Sequence, residues 1–178
     1  MAERQGQAAA DVLMTRIGQV VMLHHAGDRE EARHRFLDLW AEIGEHGDAL
    51  HRCTLAHYLA DTHDDPCDEL AWDLRALTAA EELAEDRPAE YHGGRPEDVL
   101  AVRALYPTLH LNLAADYVKL GRAEAARTHL CRARSASDAL GDDRYGDGVR
   151  AAISRLESRL GEGDSGGGGA WGPPGRRP

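Results

Sequence analysis

Residues 113–133 read LAADYVKLGRAEAARTHLCRA, and this stretch decides the fold. Leu109, Leu113, Tyr117 and Leu120 recur at helical spacing up to Gly121. Beyond that glycine, Ala126, Leu130 and Ala133 resume the same spacing on a second helix. Two helices joined by so short a turn must run antiparallel, apolar face to apolar face.

The same pattern extends upstream. Gln7 to His25 predicts a helix with Leu13, Ile17, Val20 and His24 on one face. Gly27 breaks it, and Asp28 with Glu31 has the pattern of an acidic capping box. A second helix then turns Ala32, Phe36, Leu39, Trp40 and Ile43 inward. Asp48 is placed to cap a third helix carrying Leu55, Leu59 and Thr62. Asp65-Pro66 marks the start of a fourth, a cap followed by proline where a missing N–H costs nothing. Its stripe is Leu70, Leu74, Leu77 and Glu81. Residues 86–96 predict a long loop, and Pro107 predicts a break or kink, because an interior proline costs about 3 kcal/mol. Gly141 to Gly148 predicts a loop, and Val149, Ile153, Leu156 and Leu160 a last helix. No segment has strand character.

Composition agrees. The 178 residues include 31 acidic and 21 basic ones, for a formal net charge of -10. Such a balance repels phosphate backbones and anionic lipid heads, so no nucleic-acid or membrane partner is expected. Aromatics are 5%, and the apolar residues are mainly Ala and Leu, which suits helices. No apolar h-region opens the chain and no stretch approaches a membrane span, so neither a signal peptide nor an anchor is expected. Three cysteines without a CxxC pair suit a reducing, cytoplasmic setting. The stretch 161–178, GEGDSGGGGAWGPPGRRP, holds eight of the 19 glycines. It is expected to be a disordered tail after a 1–160 domain, with Trp171 a solvated residue.

The unit Leu113-Ala114-x2-Tyr117-x3-Gly121-x4-Ala126-x3-Leu130-x2-Ala133 closely resembles a tetratricopeptide repeat. Val20, Leu23, Gly27, Ala32, Phe36 and Leu39 repeat its offsets. Leu55, Ala56 and Leu59 do so more weakly, with His63 in place of the turn glycine. The turn anchors Gly27, His63 and Gly121 lie 36 and 58 residues apart, against a family period of about 34, so an insertion separates the last two units. The chain is also similar to uncharacterised actinobacterial tetratricopeptide-type proteins. The resemblance implies an all-α fold: antiparallel helical hairpins stacked as a short right-handed superhelix, with the final helix as a cap.

It implies function as well. First helices of such repeats line a concave groove, and the offsets assign to it Ile17, Val21, His24 and His25, then Cys53, His57, Ala60 and Asp61, then Leu111, Ala115, Val118 and Lys119. Of these Val21, His25, His57, Asp61, Val118 and Lys119 are the candidate partner-binding residues. The family's clamp for C-terminal carboxylates needs Asn where Ala115 stands, so that mode is not expected. Lys119, the one lysine, and Arg122 remain available to one acidic group.

Catalytic motifs are absent: there is no GxSxG, no phosphate-cradling glycine loop and no HExxH. Cys53 and His57 share a face at i, i+4, but one such pair does not make a metal site. His63-Asp64-Asp65 reads as a helix end and a cap, and Asp142, Asp143 and Asp147 do not follow calcium-loop spacing. The sequence therefore predicts a non-catalytic adaptor for a protein or peptide, without cofactor or metal, as a monomer or as a homodimer through Trp40 or Trp72. The alternative is a regulatory module that binds a small ligand or signalling peptide and controls a transcription factor.

Overall fold

The computed structural model describes residues 2–84 and 96–165, with side chains over 11–83 and 100–162. It is all-helical, with no strand among the described residues: α1 (Ala2–His25), α2 (Arg29–Ile43), α3 (Ala49–Ala60), α4 (Pro66–Ala84), α5 (Pro96–Lys119), α6 (Ala123–Ala136) and α7 (Arg144–Ser165). A single 3-10 turn, Ser137–Ala139, precedes α7. None of these helices is long and apolar enough to cross a membrane.

Two helix ends share one local structure. Gly27 sits at φ +98° and Gly121 at φ +70°, a region open to glycine without steric cost. Asp28 N–H reaches back to the Leu23 carbonyl at 3.3 Å and Gly27 N–H to that of His24 at 3.0 Å. Arg122 and Gly121 repeat this on Tyr117 and Val118 at 2.8 and 3.0 Å. Both are Schellman closures, which satisfy carbonyls the helix end would orphan. The following residues match too: Asp28 at φ -88°, ψ 66° and Arg122 at φ -97°, ψ 68°. His63 does not imitate this. The end of α3 closes instead by tight bonds from Thr62 N–H to Leu59 and from His63 N–H to Ala60, both 3.0 Å.

Every consecutive pair of helices packs, most extensively α3 on α4, α5 on α6 and α4 on α5, while α1, α3, α5 and α7 also touch in succession. Three cores result. Ile17, Val20, Ala32, Phe36, Leu39, Leu55 and Leu59 form the first. The second is built mostly of small residues: Cys53, Ala56, Ala76, Ala79 and Ala80 with Val102 and Leu109. Ala114, Leu130, Ala133, Leu140, Val149, Ile153 and Leu156 form the third. Small side chains bring helices close, and Ala32, Ala114, Ala126 and Ala133 are all fully buried.

Several sequence expectations fail, each for a local reason. Asp28 caps nothing with its side chain, because the Schellman closure holds its ψ far from the extended value that aims a cap. Glu31 instead binds Arg35 Nε at 2.7 Å. Pro107 does not break α5; it lies fully buried inside a continuous helix, whose packing around Val102 and Leu109 offsets the lost bond. The inward face of α4 is Asp73, Ala76, Leu77 and Ala80, while Leu74 and Glu81 face out. α7 starts at Arg144 rather than Val149, since Asp143 Oδ1 accepts from Gly146 N–H at 2.8 Å and caps it. The same helix runs through Gly161 to Ser165, past the expected boundary at 160. Residues 166–178 of the expected tail, Trp171 included, and 86–95 of the expected loop lie outside the described residues, while Pro96 already starts α5.

Caps at Asp48 and Asp65 form as expected. Asp48 Oδ1 accepts from His51 N–H at 3.0 Å, and Asp65 Oδ1 from Cys67 N–H at 2.7 Å.

Candidate functional site

Three of the six candidate groove residues converge. His57 on α3, Asp61 just after it and Lys119 at the end of α5 surround carboxyl groups from α4 and α5. Lys119 Nζ bonds Glu69 of α4 and, at 3.4 Å, Asp116 Oδ1 of α5. Asp116 and Asp73 of α4 act directly on each other's charge, and Asn112 of α5 acts on Asp73. Asn112 Nδ2 donates to His57 Nδ1 at 3.3 Å, which leaves that imidazole nitrogen as the acceptor. His57 Nδ1 is 4.0 Å from Asp73 Oδ1.

Burial sets the electrostatics. Asp73 is 1% exposed and Asp116 fully buried. One oxygen on each, Asp73 Oδ1 and Asp116 Oδ2, has no hydrogen-bond partner. Two adjacent carboxylates in such a place cannot both stay charged. Burial first, then Asp116 and Asp61, push the Asp73 carboxyl up to about 9, with Asn112 opposing. Burial and Glu69 raise Asp116 to about 6, with Asp73 and Lys119 opposing. Near neutrality Asp73 therefore carries the proton beside an ionised Asp116. His57 is shifted down by burial, with Asp61 opposing. Burial also works against the Lys119 charge, but Glu69 and Asp116 hold its ammonium above the usual lysine value.

The sequence anticipated His57, Asp61 and Lys119 but not their partners. Lys119 is 44% exposed and already engaged by two carboxylates, so it is not a spare cation. Val21 is half-buried against the first core, and His25 is exposed at the end of α1. Val118 packs on the third core with Leu111 and Ala115, on the side covered by α7. Ile17, Cys53 and Ala60 are core residues. Burial and Asp73 push the Cys53 thiol up to about 12, which suppresses the thiolate that a metal would need. No group of three or more His, Cys, Asp or Glu side chains among the described residues is arranged to hold a metal ion.

A second polar contact lies between α5 and α6. His110 Nδ1 and His129 Nδ1 are 3.1 Å apart, and Tyr117 stacks on His129 at 5.4 Å. Burial and its neighbours His129 and Arg132 push His110 down to about 4, so it is neutral at physiological pH. Tyr117 thus fills the seam of its own hairpin.

No family model, curated protein or solved structure matches the chain.

Proposed function

We propose that the chain is a non-catalytic adaptor that binds a protein or peptide through tetratricopeptide-like repeats, with α7 as the cap of a right-handed stack. The observation that carries this reading is the paired turn geometry at Gly27-Asp28 and Gly121-Arg122. In each copy a buried alanine, Ala32 or Ala126, follows the glycine by five residues. The succession of α1, α3, α5 and α7 supports it, since repeats of this kind align their first helices along one face. Along that face Asp61 is exposed while Lys119 is already engaged by Glu69 and Asp116, which favours a partner segment carrying Lys or Arg.

Cross-linked capture from the native host tests it. Wild-type protein recovers a defined partner, and an Asp61→Arg/His25→Glu variant with unchanged circular dichroism loses it. Equal recovery by both proteins rejects the groove.

The regulatory alternative has one observation in its favour. Asp116 is raised to about 6, so proton uptake just below neutrality changes the charge of the groove wall.

A further inference from the structure

A separate groove of about 500 Å³ runs along the outer side of α4. Its apolar walls are Trp40, Ala71 and Leu74, and two arginines, Arg52 and Arg75, line it against one acid, Glu45. Leu74 is 40% exposed. Leucine at that exposure beside an indole is a surface that gains by being covered. The indole is rigid: Trp40 meets Trp72 edge-on at 5.1 Å, and the Arg75 guanidinium lies 4.8 Å from the centre of the Trp72 ring.

The two arginines differ in their engagement. Arg52 is bound to Glu82 and to the Gly47 carbonyl. Arg75 donates only to the Ala71 carbonyl of its own helix, and no carboxylate among the described residues pairs with it. It is a preoriented guanidinium, stacked on an aromatic face, beside an open apolar wall. A guanidinium so placed presents its remaining N–H groups to a carboxylate.

We propose that this groove docks an acidic, leucine-rich segment of a partner protein, with a carboxylate on Arg75 and an aliphatic side chain against Trp40 and Leu74. Charge selects this occupant over a second copy of the chain. A two-fold contact would bring up a second groove with the same excess of two arginines over one acid, whereas an acidic segment supplies the carboxylate that Arg75 lacks. The site is independent of the groove around His57 and Lys119, and the two surfaces favour partner segments of opposite charge.

Fluorescence anisotropy with a labelled synthetic peptide, Leu and Glu at helical spacing, tests the proposal on the full chain. The peptide binds wild type, and added salt weakens it. Arg75→Glu and Leu74→Glu each weaken it by about tenfold or more; both positions are exposed, and far-ultraviolet circular dichroism checks that each variant folds. Asp61→Arg leaves it unchanged, which separates this site from the first. Absence of binding to wild type overturns the proposal, as does equal binding of a peptide with Gln for Glu. Sedimentation showing a wild-type dimer that Leu74→Glu dissociates overturns it too, because the occupant is then a second copy.

Discussion

Asp73 and Asp116 are two buried acids coupled across the α4–α5 seam, one held neutral and the other a carboxylate that Lys119 also holds. Nothing apolar explains two acids in that place. They are the most distinctive chemistry of the chain.

Replacing Asp73 by Asn keeps a neutral group beside Asp116 and removes the titration. Unfolded Asp73 releases its proton near the ordinary aspartate value of 3.8, whereas the folded carboxyl keeps it to about 9. Between these values the unfolded chain binds fewer protons, so rising pH favours unfolding. This contribution to stability is full below pH 4 and is lost as pH rises through 9. Asp73→Asn is therefore expected to be the more stable protein at neutral pH, by about 1 to 3 kcal/mol. Its advantage widens from pH 5 to pH 9 in urea melts, and a constant gap refutes the assignment.

Lys119 favours the ionisation of Asp116. Lys119→Met removes the ammonium and leaves Glu69 repelling Asp116, so Asp116 titrates above its wild-type value of about 6. Carboxyl carbon NMR reads the shift directly. An unchanged titration means the Lys119 contact does not persist in solution.

The Schellman ends need glycine. Gly121→Ala places a side chain at φ +70° with nothing crowding the Cβ, so the loss is conformational alone. The expected cost is about 1 kcal/mol, read as a lower thermal midpoint with an unchanged spectrum.

Gly146 is restricted by space instead. A Cβ there would lie 2.1 Å from the Gly141 carbonyl oxygen and 2.9 Å from the Arg150 side chain. Gly146→Ala must shift the start of α7 and is expected to cost about 1 to 3 kcal/mol. Gly148→Ala, with open space around it, serves as the control in the same chemical melts.

Phe36 is the largest fully buried side chain and stacks on Tyr58 at 6.0 Å. Phe36→Ala leaves a cavity between α1, α2 and α3 and is expected to cost about 3 to 5 kcal/mol in the same melts.

Local rules made much of the architecture readable. Gly27 and Gly121 announce their turns because φ above zero is nearly closed to other residues, and Asp48 and Asp65 announce helix starts because their oxygens reach orphan N–H groups. Reading failed where partners are distant. Leu70 and Leu74 predict an inward stripe on α4 because leucine marks a core, but alanine lets helices approach more closely and Leu74 faces out. Asp73 interrupts an apolar face, and the residue that accounts for it, Asp116, belongs to another helix across residues 85–95. His57 and Lys119 were found by offset, while Glu69, Asn112 and Asp116 carry no local signal. Pro107 broke a strong propensity that only tertiary burial outweighs.

The alanine-built middle core has a consequence for how order spreads through the molecule. α3 belongs to the first and second cores and α5 to the second and third, so no hairpin can hold itself together and each is a link in a chain of couplings. The middle link sets small buried side chains beside Trp40, Trp72, Leu105 and Tyr106, and it carries two desolvated acids as well. Amide hydrogen exchange would accordingly report the Phe36 block and the Ile153 block opening at separate free energies.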